Sequence, residues 1–252
     1  MSKYDEICYK RNFISRAIFR IDYPPIFKLE KESPSGFQEK IKSNFPISNI
    51  KEGNIITTGL KDKKEFIDRE TFNIYEFLSE NKKHITEIAK SYLGVTLLEY
   101  GTFEDFKNLI EQSFSAFNQE YAPTIITRIG LRYINEIKLD GNPLDWTNYI
   151  NGNLLSSLTF VSSSKLKPTR LMNQINYLTE NYSLTFNHGI FNVEYPSPIT
   201  RKEFILDYDC YTKEIKPEFV LENLNEFHAI IQELFEKSID VELKKIMGVK
   251  NE

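Results

Sequence analysis

Two stretches of this 252-residue chain share one alternating pattern, and that repetition is the feature that most limits the possible folds. The letters SRAIFRI at 15–21 match TRIGLRY at 127–133, with arginines at the same two places, 128 − 16 = 112 residues apart. Alternation of polar and apolar residues predicts a β-strand with one buried face. We therefore predict two related strands, over 14–23 and 124–137.

The elements that follow each of these strands come in a similar order. Proline at 24–25 ends the first strand, and Ser33-Pro34 begins a short helix. Thr102 with Asp105 resembles a capping box and opens a longer helix. We predict further strands over 54–59, 72–78, 84–89 and 93–100, and in the second half over 158–163, 171–178, 182–186 and 203–208. We predict a short helix around 144–150 and a last helix from about 223, with 238–247 continuing it or forming a separate helix.

Two more letter matches indicate that the halves are a tandem repeat. LLEY at 97–100 matches ILDY at 205–208, and FEDFKNLIEQSF at 103–114 matches LNEFHAIIQELF at 224–235. We predict two β-α-β(3-4)-α repeats, over 1–121 and 122–252, that form one continuous structural unit. The other interpretation is that the two halves share only general amphipathic patterns.

This order of elements predicts an α+β fold with antiparallel sheets and helices packed on one sheet face. The arrangement is similar to the saddle of the TATA-binding protein, and more loosely to the helix-grip and ferredoxin-like folds. The second sheet face is then solvated, lined by a ligand or covered by a partner.

Four arginines are expected on that second face, because alternate residues of a strand share a face. They are Arg16 and Arg20 on the first strand, and Arg128 and Arg132 on the matching one. A guanidinium group binds phosphate or carboxylate, so these arginines either bind an anionic or polar partner or pair with Asp and Glu on neighbouring strands. Further basic residues are expected in hairpin regions that a phosphate backbone or a partner would reach: Lys61, Lys63 and Lys64, then Lys165, Lys167 and Arg170.

The charge balance limits the classes of partner. Lysine and arginine number 32 and acidic residues 36, so the net charge is −4 and a strongly basic nucleic-acid-binding coat is excluded. No apolar run approaches 18 residues, so we expect no transmembrane helix. The first residues lack the apolar core of a signal peptide, and two cysteines make no disulfide framework, so a cytoplasmic protein is expected.

No catalytic motif is present in the sequence. There is no glycine-rich phosphate loop, HExxH, CxxC or G-x-S-x-G, so we predict no catalytic residue, no cofactor and no metal site. His228 falls beside the apolar stripe of the last helix and is interpreted as structural. Asp207 and Asp209 share a strand face and would bind a divalent metal only with a third carboxylate such as Glu136.

Several motifs resemble those of one protein family. They are YPPI at 23–26, SGFQEKIKSNFP at 35–46, RIGLRYIN at 128–135, FILDYD at 204–209, LNEFH at 224–228 and MG at 247–248. Over nearly its whole length the chain is similar to a sporadically distributed prokaryotic family that is defined by sequence profile. It departs from that family in the first hairpin, where Phe72 and Tyr75 stand in place of the usual Trp or Phe. The resemblance implies no particular activity, and the family's patchy distribution resembles that of defence-associated or mobile-element genes.

Together these observations predict a non-enzymatic recognition or adaptor module that presents a polar sheet face to a protein partner, in an anti-phage defence or toxin-control system. A nucleic-acid-binding protein that uses the paired arginines and basic hairpins is the first alternative. A metal-dependent hydrolase or nuclease is the second. A homodimer is compatible with each of the three. Since arginines on a solvated face contribute little stability, replacing Arg20 and Arg132 is expected to leave stability nearly unchanged.

Overall fold

The computed structural model describes residues 7–61, 64–162 and 165–248, which form an α+β fold with one antiparallel sheet. Its nine strands are β1 (Ile14–Asp22), β2 (Ile47–Lys61), β3 (Lys64–Leu78), β4 (His84–Ala89), β5 (Tyr92–Leu97), β6 (Ile126–Lys138), β7 (Leu171–Leu178), β8 (Ser183–Ile190) and β9 (Glu203–Ile215). The α-helices in these ranges are α1 (Lys28–Lys31), α2 (Ser35–Ile41), α3 (Phe103–Tyr121), α4 (Ser156–Ser162), α5 (Val220–Ser238) and α6 (Val241–Met247).

The strands follow one another across the sheet in the order β2-β3-β4-β5-β1-β6-β9-β8-β7. The two strands with the matching sequence pattern, β1 and β6, are therefore neighbours at the centre. They run antiparallel, with Phe19 opposite Leu131. Each also pairs with the last strand of its own half, β1 with β5 and β6 with β9. The sheet therefore ends in two edge strands, β2 and β7.

The main helices pack on one face of this sheet. Ala17, Phe19 and Ile21 of β1 are fully buried on that face, as the alternation predicted. Helix α3 packs against β5, α5 packs against β6 and β9, and α2 packs against α3. Phe106 of α3 and Phe227 of α5 are buried in the core between helices and sheet. The predicted antiparallel sheet with its covering helices is thus present.

The predicted cap of α3 is confirmed. The Thr102 hydroxyl accepts a hydrogen bond from the backbone N–H of Asp105 at 3.1 Å, and its oxygen lies 2.7 Å from the Asp105 carboxylate. The long helix of the second half, α5, ends at Ser238, because the next residue, Ile239, adopts an extended conformation. Asp240 then caps α6, which is a separate helix rather than a continuation of α5.

Two predicted elements of the second half were wrong. Residues 144–150 form turns instead of a helix, and Trp146 is buried there with its indole N–H donating to the Pro143 carbonyl at 3.0 Å. Residues 158–162 of the predicted strand at 158–163 belong to α4 instead, and residue 163 lies outside the described residues. Asn151 accepts a hydrogen bond from the N–H of Asn153 and starts a 3₁₀ turn, Gly152–Leu155, that leads directly into α4. Periodicity alone does not separate a short apolar strand from a short helix.

Two first-half strands are longer than predicted, because 54–59 and 72–78 are parts of the 15-residue strands β2 and β3. Within the described ranges, no helix is long and apolar enough to cross a membrane.

Candidate functional site: the open face of the sheet

The face opposite the helices, which we call the open face, carries the side chains of Arg16, Ile18 and Arg20 on β1. Residues directly opposite one another in an antiparallel pair share a face, so the register extends this surface across the sheet. Arg132 lies opposite Ile18, and Arg128 lies opposite Asp22. The structure therefore brings all four predicted arginines together on the two central strands. Arg16 and Arg20 are exposed, while Arg128 and Arg132 are half-buried.

Arg132 is held by a bidentate ion pair with Asp207 on the neighbouring strand β9. Its Nε donates to one carboxylate oxygen at 2.7 Å and its Nη2 to the other at 2.8 Å. Asn187 of β8 also donates to this carboxylate at 3.3 Å. Asp207 is only 7% exposed, so its charge is neutralised within the sheet. The hydrogen bonds to Asp207 raise the pKa of Arg132.

Arg128 forms a looser pair with Asp209, which lies two residues after Asp207 on the same face of β9. The Nη2–Oδ1 distance is 3.5 Å, and the guanidinium lies 4.8 Å from the centre of the Tyr211 ring. Burial raises the pKa of Asp209, while the charges of Arg128 and Arg132 oppose that shift. The carboxylate is thus partly desolvated and depends on these two arginines for its stabilisation.

Arg20 repeats this arrangement on β1 with residues of the first half. Its Nη2 lies 2.7 Å from the Asp22 carboxylate, and its guanidinium stacks 4.1 Å from the Tyr92 ring centre. Three of the four predicted arginines therefore already hold a carboxylate. Among the described residues no carboxylate lies within ion-pair distance of Arg16, which is left available to a ligand.

Two glycines lie on either side of Arg20 and shape the centre of the open face. Gly94 of β5 and Gly130 of β6 are both directly opposite Arg20. A Cβ at Gly130 would lie 2.9 Å from a guanidinium nitrogen of Arg128, so a larger residue there would require the end of the Arg128 side chain to shift. A Cβ at Gly94 would come no closer than 3.7 Å to any atom. Both glycines are buried, and neither has a side chain that rises above the face beside Arg20.

The possible metal ligands are engaged elsewhere. Asp207 and Asp209 face arginines, and the Glu136 carboxylate lies 2.8 Å from the Lys138 ammonium and accepts from the Ser15 hydroxyl at 3.1 Å. The Lys138 hydrogen bond lowers the pKa of Glu136. No group of three His, Cys, Asp or Glu residues in the described part of the chain is arranged to hold a metal ion.

The predicted basic hairpins lie away from the arginines. Lys63 and the side chains of Lys61 and Lys64 lie outside the described residues, and the strands on either side, β2 and β3, pair at one end of the sheet. Lys165, Lys167 and Arg170 precede β7 at the opposite end. Arg170 lies 4.4 Å from the ring centre of Phe191 and donates to that residue's carbonyl at 2.8 Å. The two basic groups are therefore not one surface.

A cavity that the sequence did not predict lies on the helix side, between the first described residues, the start of α3 and α5. Its volume is about 520 Å³, which is within the range of small-molecule sites. Phe103 and His228 stack there with ring centres 3.6 Å apart, and the Tyr133 hydroxyl lies 3.1 Å from His228 Nδ1. These aromatic residues lie far apart in the sequence, so no spacing could have pointed to the cavity.

The buried carboxylate of that cavity is already neutralised. Glu236 accepts from the Tyr9 hydroxyl at 2.6 Å and lies 3.0 Å from the Lys244 ammonium. Burial and the neighbouring carboxylate raise the pKa of Tyr9. The other lining residues are mostly aromatic, aliphatic or amide-bearing, and the second carboxylate, Glu104, is exposed. This chemistry suits an uncharged and mostly apolar compound.

No protein-family model matches the chain, and no curated protein matches it. The family resemblance of the sequence motifs therefore stays a prediction.

Proposed function

We propose that this protein is a non-enzymatic recognition module that binds a protein partner through the open face of its sheet. The observation that carries the proposal is the pairing of Arg20, Arg128 and Arg132 with carboxylates of the same face. A large face that helices do not cover, and that alternates positive and negative charge, is complementary to a surface of similarly mixed charge.

The same pairing disfavours the nucleic-acid alternative. The guanidinium forks that would bind phosphate are occupied, most completely in Arg132, whose two hydrogen bonds go to one carboxylate. A phosphate would have to compete with Asp207 and would meet its negative charge nearby. Exposed Arg16 alone offers too few contacts for tight phosphate binding, and the net charge of −4 opposes association with a polyanion.

A tandem repeat with a saddle-like arrangement is part of the proposal. The sequence match that aligns Arg16 with Arg128 also aligns Phe19 with Leu131, since 131 − 19 = 112, and these two residues lie opposite each other in the sheet. A twofold axis through that pair would exchange the central strands. It would also exchange α3 and α5, which are each 19 residues long.

One of the sequence matches within the repeat disagrees with the pairing register of the strands. Gly94 and Asp209 are the partners of Arg20 and Arg132, so the repeat relates them at an offset of 209 − 94 = 115. The match of LLEY with ILDY has an offset of 205 − 97 = 108. It does not join equivalent positions, and support for a repeat comes from the arginine strands and the order of elements. A role in defence or toxin control rests on the family resemblance alone.

A variant that blocks the open face tests the proposal. Because a Cβ at Gly94 would make only ordinary van der Waals contacts, at 3.7 Å or more, Gly94→Arg would add a long charged side chain on the open face. The matched control is Asn108→Arg, which adds the same charge on the exposed side of α3. Tagged wild type and both variants would be used to capture partners from the native host at low salt and at about 0.5 M salt, where phosphate contacts fail.

One stoichiometric protein that survives high salt with wild type and Asn108→Arg, and is lost with Gly94→Arg, is the expected result. Retention of that protein by Gly94→Arg would remove the open face as its binding site. Nucleic acid that is captured at low salt and released at high salt would instead support the nucleic-acid alternative.

A further inference from the structure

The edge strand β7 is the part of the sheet that lacks the protection edge strands normally have. In the part of the chain that the structure describes, β7 forms backbone hydrogen bonds with β8 alone, so the groups along its outer side are unpaired. Its sequence, LMNQINYL, contains no charged residue and no proline. Natural sheets avoid association at such edges with lysine, proline or a bulge.

The other edge strand, β2, shows the contrast. It carries Lys51 and Glu52 in its exposed part, and Gly53 follows them. On β7 the exposed residues are uncharged instead, and they include both apolar side chains and amides. Leu178 is 84% exposed and Met172 is 39% exposed. Both belong to the open-face side of β7, because they lie opposite Ser183 and Gly189 of β8.

We propose that β7 pairs antiparallel with β7 of a second copy of this chain, so that the two sheets join edge to edge. A twofold axis at Ile175 sets the register. It places Leu178 opposite Met172 of the partner subunit, and Asn176 opposite Gln174 of the partner subunit. Apolar residues then meet apolar residues, and amides meet amides, on the same face.

Charges at the two ends of β7 complement each other in this register. Arg170 precedes the strand and Glu180 follows it, and the two are equally distant from Ile175. Arg170 of each subunit therefore lies opposite Glu180 of the partner subunit. In the described residues neither side chain has an ion-pair partner within one chain, so the dimer would supply both pairs. A shift of the axis to Gln174 would instead place Arg170 against Leu178 of the partner subunit.

Charge reversal tests both the interface and its register. Sedimentation velocity would be recorded for wild type over concentrations reaching the high micromolar range, and for Glu180→Arg, Arg170→Glu and the double variant. Each single reversal places like charges together at both ends, and we expect the dimer dissociation constant to rise about tenfold or more. The double variant should recover most of the affinity. Glu99→Arg, at an exposed position of the first half, is the matched control and should leave the dimer unchanged.

Leu178→Lys adds a charge on the strand itself and should abolish the dimer. A wild type that stays monomeric at all concentrations would overturn the proposal, as would a dimer that Leu178→Lys leaves intact. Single reversals without effect, or a double variant that fails to recover, would also overturn it. The outcome is independent of the proposed function, because Gly94→Arg alters β5 and leaves β7 untouched.

Discussion

Replacing Arg132 with alanine is expected to lower the free energy of unfolding by about 2 kcal/mol, because it leaves Asp207 without its main partner. Each hydrogen bond to a charged group is worth about 1.5–3 kcal/mol, and Arg132 makes two of them to this carboxylate. The Arg132 side chain is 41% exposed, so water weakens the pair and partly resolvates Asp207 after the change. The cost therefore falls below the roughly 3–5 kcal/mol of a fully buried broken pair.

This result would revise the expectation from the sequence that replacing Arg20 and Arg132 leaves stability nearly unchanged. The expectation still applies to Arg20. Its side chain is 47% exposed and its partner Asp22 is also accessible to water, so Arg20→Ala should cost under about 1 kcal/mol. Arg20→Ala is therefore the matched control.

The assay is equilibrium urea denaturation, followed by far-UV circular dichroism, of a double-mutant cycle. The cycle joins wild type, Arg132→Ala, Asp207→Ala and the double variant, and it isolates the interaction between the two side chains. We expect a coupling energy above about 1 kcal/mol, since the double variant no longer buries an unpaired charge. A coupling near zero, with Arg132→Ala costing no more than Arg20→Ala, would refute this account of the open face.

The remaining predictions concern the core, a cap and a buried histidine. Phe106→Ala and Phe227→Ala should each cost about 3–5 kcal/mol in denaturation experiments, and a cost below about 1 kcal/mol at both would contradict the packing of α3 and α5 on the sheet. Thr102→Ala should cost about 1 kcal/mol by loss of the cap, whereas Thr102→Ser should not. Burial lowers the pKa of His188, so the unfolded chain binds a proton first as the pH falls. Stability should therefore decrease below about pH 6.5, and less so in His188→Gln, when urea midpoints are compared across that range.

Strand alternation was enough to predict the two central strands and the face on which each of their side chains lies. Arg20 and Phe19 fall on opposite faces of β1 because residues of an extended chain alternate, whatever its neighbours are. The cap at Thr102 was equally local, since it depends on two residues three apart. Such features follow from the nearest residues along the chain and need no knowledge of the complete fold.

The contacts that decide what the open face binds could not be predicted in this way. The pair of Arg132 with Asp207 depends on which strands are neighbours and on their register, and both are set by the packing of the complete sheet. The helix α4 was missed for a related reason, since a short apolar run takes the conformation that its surroundings favour. The cavity beside Phe103 and His228 likewise exists only where three separate segments meet.

The pairing of β1 with β6 at the centre of the sheet has a consequence for the order of folding. These strands are separated by the whole remainder of the first half, so all of that part of the chain must be synthesised before they can pair. During synthesis β5 reaches β1 early, but the other side of β1 stays unpaired until β6 has left the ribosome. Contacts between residues that are far apart in the sequence slow folding. The nascent chain therefore exposes the edge of its future central strand for a substantial part of its translation.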